Sequence, residues 1–262
     1  MSIHLVGGGP FAASDAAASF LAEATARSAA VGRTVPRIAL LSVAGVVGDG
    51  GAGDGAASGD GAATGDGAGA TISPASTADI AEVLGGARAA EVLVTEIAPG
   101  DVFSTTVLSD VDALVVGGGV TPHYLDAVAP LVDQIRLLVS DGLPYLGYSA
   151  GAMIASDRAL VGGWRIGGVE ICPEEASEGL DEVELREGLG LVDLTIDVHA
   201  VQAGTLARLI ASAEAEFVTA GLAIDEDTTL VVGEGALEVR GAGSVWRVVA
   251  GEESVAVATM GA

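Results

Sequence analysis

The chain has 262 residues, 39 of them glycine, and sets 36 acidic side chains against 11 basic ones for a formal charge of −25. So negative a chain repels phosphate backbones and anionic lipid surfaces, which argues against nucleic-acid and membrane partners. The lone Cys172 excludes an internal disulfide framework, and neither a secretion signal nor a run of about 18 uncharged apolar residues is present, so the expected setting is the reducing cytoplasm.

In chain order, IHLV at residues 3–6 reads as a short buried strand that ends on Gly7-Gly8-Gly9. An Ala-rich helix over 12–31 and the strand RIALLSVAG follow, opening a β-α-β unit. Gly7-Gly8-Gly9-Pro10-Phe11-Ala12 also fits the dinucleotide pattern G-x-G-x-x-A, but the second strand ends without the Asp or Glu that would hold a ribose hydroxyl, which weighs against a nucleotide. Residues 48–70 are a Gly/Ala/Asp stretch with nothing to bury, expected as a disordered surface insertion. Its Gly-Asp repeats match neither the EF-hand loop nor the calcium-binding nonapeptide.

Beyond that stretch a helix is expected around 76–88, then the strands EVLVTEI and DALVVGGG, a helix from about 123 to 140, and the strand LPYLGY. Strands rich in Val, Leu and Ile without alternation, each followed by a helix, predict a parallel sheet covered on both faces. The expectation is one domain over 1–262, a three-layer, doubly wound, mostly parallel α/β sheet. After Ser149 the pattern predicts a helix over 150–160, an irregular stretch over 162–188, a strand in LGLVDLTIDVH and a helix in TLARLIASAEAEFV. The tail segments TTLVVG, ALEVRG, SVWRVVAG and ESVAVAT are expected as antiparallel strands at the C-terminal edge of the sheet.

Reactive groups in such sheets gather at the C-terminal ends of strands. LPYLGYSAGAM (143–153) sets Ser149 in G-x-S-x-G, between a buried strand and small helix-forming residues, as a nucleophile elbow requires. The bare motif arises by chance about 0.4 times in so glycine-rich a chain, so the flanking elements carry the argument. VVGGGVTPHYL (115–125) places Gly117–Gly119 after another strand, where backbone N–H groups can approach a ligand, although an ordinary tight turn explains those glycines equally well. The chain has three histidines, and His199 is the one that falls just past a buried strand, placed either to take a proton from Ser149 or to cap the next helix. His4 lies inside a strand and His123 opens a helix; both are expected to be structural, with His123 also beside the substrate pocket.

The stretches GGGVTPHYL, GYSAGAM, GLGLVDLTIDVH with TLARL, and GLAIDEDTTLVV together resemble the family that contains peptidase E and cyanophycinase, serine peptidases on a class I glutamine amidotransferase-like fold. They run in the family's order over about 110–232. The resemblance implies Ser149 as nucleophile, His199 as base, the amides of Gly118 and Ala150 as oxyanion donors, a small peptide substrate, and no metal or cofactor; a homodimer is compatible with it.

Two departures stand out. In the family the third triad member is expected a little over a dozen residues past the serine, where this chain reads WRIG. The longer interval between Ser149 and His199 points to an acid displaced into VEICPEE, with Glu174 expected, Glu170 and Glu175 behind it, and Asp197 as the alternative on the strand of His199. After His199 the chain has Ala200, Val201, Gln202, Ala203 and Gly204 before Arg208, without the family's aromatic residue and arginines, so Arg165 or Arg158 would have to hold an acidic substrate group. Thr121, His123, Tyr148, Arg165 and Gln202 are the expected pocket residues, and the rest of the acidic stretch 174–188 is expected to be a solvated loop. The chain thus reads as a serine-type hydrolase of a small peptide amide working through Ser, His and Glu. The alternative is a non-catalytic or amidotransferase-like binding protein with an incomplete triad.

Overall fold

The computed structural model describes residues 2–11, 16–45 and 75–262; the stretch 48–70 and the expected start of the first helix lie outside them. The first half of the chain forms β1 (Ile3–Val6), α1 (Ala16–Ala30), β2 (Arg37–Val43), α2 (Thr77–Gly85), β3 (Glu91–Ile97), β4 (Ala113–Val116), α3 (Thr121–Val128), α4 (Val132–Ser140), β5 (Tyr145–Tyr148) and α5 (Ala150–Met153). The second half forms β6 (Arg158–Gly162), β7 (Arg165–Ile166), β8 (Val169–Glu170), β9 (Glu184–Glu187), β10 (Thr195–Val198), α6 (Thr205–Glu214), β11 (Ala220–Ile224), β12 (Thr228–Val232), β13 (Glu238–Gly241), β14 (Ser244–Ala250) and β15 (Val255–Gly261).

A seven-stranded sheet in the order β13-β12-β1-β5-β4-β2-β3 is the centre of the molecule. Its strands from β1 to β3 are mutually parallel, and β12 and β13 add antiparallel at the β1 end. Successive residues of β2 point to opposite faces. Ile38 and Leu40 pack with Phe20 and Ala24 of α1 and Ile80 and Leu84 of α2, while Ala39, Leu41 and Val43 pack on the side of α3, α4 and α5. His4 of β1 is fully buried, its Nε2 3.3 Å from Glu23 of α1, and burial pushes its imidazole below the ordinary range. Its place is structural. At the far edge β3 exposes Leu93 and Val94, so this strand is not covered on both faces.

The strand expected in LGLVDLTIDVH does not join that sheet. β10 pairs parallel with β11, and β14 and β15 extend antiparallel from β11, making a second, four-stranded sheet. The tail strands are therefore shared between the two sheets. Pro130 divides the helix expected over 123–140: a 3-10 turn at Ala129–Leu131 separates α3 from α4, because proline has no N–H to carry the helical ladder. The helix expected over 150–160 stops at Met153, since the carbonyls of Ile154 and Ala155 are taken by the N–H groups of Leu189 and Leu191 instead of by a further turn. Arg158–Gly162 then leaves as β6 and pairs with β9, inside the stretch expected to be irregular.

One buried ion pair ties the second sheet to its helix. Arg208 of α6 donates from Nε and Nη2 to Asp197 of β10 at 2.9 and 2.6 Å, with side chains 1% and 0% exposed. Arg208 Nη1 also reaches the carbonyls of Ala176 at 2.6 Å and Gly163 at 3.3 Å, anchoring the segment between β6 and β9. Removing one partner of such a pair strands a desolvated charge. Arg208→Met is therefore expected to cost about 3–5 kcal/mol of stability, read from the midpoint of urea unfolding, whereas loss of the exposed Arg165–Glu170 pair in Glu170→Gln shifts it by less than about 1 kcal/mol.

Candidate active site

Ser149 sits between β5 and α5 at φ 51° and ψ −109°, a backbone conformation that non-glycine residues rarely hold. The turn is tight enough that both glycines of the motif are steric requirements. A Cβ on Gly147 would overlap the Gly151 carbonyl, and one on Gly151 would overlap the carbonyl of Val116. Ala150 opens α5, so its N–H is a first-turn donor without a helical acceptor. Gly118 lies against the same turn: a Cβ there would stand 2.8 Å from Tyr148 Cδ1 and 3.0 Å from Ser149 Cβ.

His199 follows β10 at φ 55°, its N–H bonded to the Gly7 carbonyl at 3.0 Å. Gly8 lies directly beneath the imidazole, and any Cβ at that position would overlap the ring. His199 Nε2 is 2.8 Å from Ser149 Oγ, and Nδ1 is 2.7 Å from Glu226 Oε1. Glu226 stands in the turn between β11 and β12, where its N–H donates to Gln202 Oε1 at 3.0 Å. The neighbouring Asp225 is buried and accepts from the N–H groups of Val201 and Ser244 and from Trp246 Nε1, which pins the turn to the loop after His199 and to β14.

The expected acids fall elsewhere. Glu174 begins an exposed 3-10 turn at Glu174–Ala176 in the segment that Arg208 anchors, and Glu226 takes the place on His199 Nδ1 instead. Glu170 pairs with Arg165 across the β7–β8 hairpin, and Asp197 faces Arg208. Glu226 was within reach of sequence reasoning, since Asp225-Glu226-Asp227 follows the buried run LAI and marks one more strand end carrying carboxylates.

A cavity of about 350 Å³ opens beside Ser149 and His199, with Gly118, Tyr148, Glu178 and Arg208 in its wall. Tyr148 spans it, donating to the Gly9 carbonyl at 2.6 Å and accepting from Ala75 N–H at 2.9 Å, and burial pushes its hydroxyl up to about 12. Of the other expected pocket residues, Gln202 supports Glu226. Thr121 is buried, with its Oγ on Met153 Sδ and its N–H on Glu178 Oε2, and His123 lies outside the cavity wall. Arg165 stacks on Trp164 and Arg158 bonds the Phe217 carbonyl, so neither reaches the cavity. Glu178, expected in a solvated loop, is half-buried in the wall.

The glycines that fit a dinucleotide pattern are occupied by the protein itself, Gly7 against the Asp225 carbonyl and Gly8 against His199, which leaves no approach for a pyrophosphate. Among the described residues no group of three or more His, Cys, Asp or Glu is placed to hold a metal ion, and no helix is long and apolar enough to cross a membrane.

Over 92% of its length the chain follows a structure assigned to peptidase E from Listeria monocytogenes EGD-e, at 15% identity, TM-score 0.51 and 98% coverage of that chain. It follows a peptidase from an acI-B1 Actinobacterium over its whole length, at 18% identity, TM-score 0.54 and 95% coverage of that chain. At those identities the likeness is one of fold. A 54-residue stretch, 20% of this chain, is 43% identical to peptidase E of Nostoc sp. strain PCC 7120, and the match spans 22% of that protein's length. Residues 78–240 match the sequence model of peptidase family S51. That match runs from α2 to β13, over more than half of the chain, and takes in the elbow, the imidazole and Glu226: the chain belongs to peptidase family S51, the family of serine peptidases that includes peptidase E.

Proposed function

We propose that the protein hydrolyses an amide bond in a small peptide, with Ser149, His199 and Glu226 as its triad. The observation that carries this reading is the continuous hydrogen-bonded line from Glu226 Oε1 through His199 to Ser149 Oγ, at 2.7 and 2.8 Å. A carboxylate on Nδ1 keeps the proton there and leaves the Nε2 lone pair to accept from the serine hydroxyl. Ser149 Oγ attacks the carbonyl carbon as His199 takes its proton, and the oxyanion meets the N–H groups of Gly118 and Ala150. Collapse breaks the C–N bond, with His199 returning the proton to the leaving amine. Water, deprotonated by the same imidazole, then releases the acyl group. A cavity of about 350 Å³ suits a substrate of a few residues. The reading of a binding protein with an incomplete triad rested on a missing acid, and Glu226 on Nδ1 weighs against it.

A fluorophosphonate probe is expected to label the protein at Ser149, and Ser149→Ala to abolish labelling and lower kcat on an aminoacyl p-nitroanilide by at least roughly 10³-fold. Loss of both effects together would refute the nucleophile. Glu226→Gln is expected to lower kcat by about 10²- to 10⁴-fold while Glu174→Gln stays within about twofold of the parent, a comparison that decides which acid serves His199. Gly8→Ala, which forces the imidazole aside, is expected to lower kcat roughly 10²-fold in a protein whose circular dichroism shows an intact fold.

A further inference from the structure

We propose that Glu178 selects the substrate by receiving a cationic nitrogen, the protonated N-terminal amine or a basic side chain, in the cavity beside Ser149. The proposal rests on the reading of that cavity as the substrate site. Besides Tyr148, five charged or titratable side chains line it: Glu175, Glu178, His199, Arg208 and Glu226. His199 and Glu226 are engaged with each other. Arg208 is the cation in the wall, yet it is 1% exposed, with Nε and Nη2 committed to Asp197 and Nη1 to the carbonyls of Gly163 and Ala176. An arginine already neutralised and saturated in this way is a poor receptor for an acidic substrate group.

Glu178 is the opposite case. Its Oε2 accepts from Thr121 N–H at 3.0 Å, and among the described residues no donor meets Oε1. The side chain is fixed from below, because Gly162 passes so close that a Cβ there would stand 2.6 Å from Glu178 Cβ. Burial holds its carboxyl above the ordinary range, against the pull of Thr121 N–H, Arg208 and His199, while Asp197 pushes it further up. A half-buried carboxylate oxygen that lines the cavity without a protein donor is open to a ligand, and a cationic nitrogen supplies both the hydrogen bond and the opposite charge. Glu178 lies on the stretch of chain between Ser149 and His199, in the segment that Arg208 anchors through the Ala176 carbonyl.

Binding is to be read apart from turnover, by calorimetric titration of the Ser149→Ala protein with Lys-Ala, norleucyl-Ala, Asp-Ala and their N-acetyl derivatives. Lys-Ala is expected to bind at least roughly 10-fold more tightly than Asp-Ala, and Glu178→Gln, which keeps an acceptor for Thr121 N–H, to weaken Lys-Ala by roughly 10- to 100-fold. Weaker norleucyl-Ala with little effect of acetylation assigns the cation to the side chain; equal norleucyl-Ala with binding lost on acetylation assigns it to the N-terminus. Norleucine matches lysine without its charge, so this arm needs no further variant. The proposal is overturned if Asp-Ala binds most tightly, if neither acetylation nor norleucine weakens binding, or if Glu178→Gln with an unchanged melting temperature binds Lys-Ala as the parent does. Failure of fluorophosphonate to label Ser149 would count against the peptidase mechanism alone and leave the binding comparison standing.

Discussion

Three consecutive carbonyls at the end of β1 organise the site. Val6 O accepts from Ser149 N–H at 2.9 Å, Gly7 O from His199 N–H at 3.0 Å, and Gly8 O from Asp227 N–H at 3.0 Å, beside Glu226. The Gly9 carbonyl takes the Tyr148 hydroxyl. Successive Cα atoms lie about 3.8 Å apart, so a chain that hands out its acceptors in sequence sets the recipients side by side at hydrogen-bonding distance. Ser149 belongs to one sheet and His199 to the other, and this short strand end is the joint between them. The joint works only without side chains: a Cβ at Gly7 would strike the backbone of Asp225, and one at Gly8 would strike the imidazole.

The same turn explains how three adjacent acids can stand in a protein that already carries a charge of −25. Asp225 is buried and takes three N–H donors, which makes it a fastener for the turn. Glu226 turns its carboxylate to His199, and Asp227 contributes its main-chain N–H to Gly8. The buried Arg208–Asp197 pair acts at the next level out, since the carbonyls it holds fix the segment that forms the cavity wall opposite the imidazole. The Arg208–Asp197 pair is thus turned inward, whereas Glu178 lines the cavity with an Oε1 that meets no donor among the described residues.

Features that depend on nearby residues were legible in the sequence. The inner parallel strands announce themselves because both faces are covered and the runs of Val, Leu and Ile are unbroken, whereas the edge strand β3 leaves Leu93 and Val94 exposed. Ser149 announces itself because an elbow is made of its own five residues and the elements on either side. Long-range pairing leaves no such mark. β10 has the composition of a central strand, and nothing in TIDV tells whether its neighbour is β11 or a strand of the first sheet. β6 reads as the end of the helix expected over 150–160 and β9 as irregular, because their partners, Arg158 with Glu187 and Leu160 with Leu185, stand a loop apart and neither strand has a pattern strong enough to stand alone. Glu226 looks like one more acid in an acidic turn until Gly8 brings that turn beneath His199.

The two glutamates that matter most arise from different constraints. Glu226 lies in a turn fastened at both ends, to β14 through Asp225 and to β1 through Asp227, so its carboxylate cannot move without disturbing both sheets. Glu178 lies in a segment held by Arg208 on the carbonyls of Gly163 and Ala176, by Gly163 N–H on the Ser177 carbonyl at 2.8 Å, and by Thr121 N–H on Glu178 itself. On the proposed mechanism the joint between the sheets sets the line along which a proton moves between Ser149 and His199, and the anchored segment sets the charge that the cavity presents to a substrate. On the proposed reading the segment can change while the hydrogen bonds of the imidazole are kept, because no described hydrogen bond runs from that segment to His199 or Glu226; the tie between the two parts is the charge of Glu178 acting on His199.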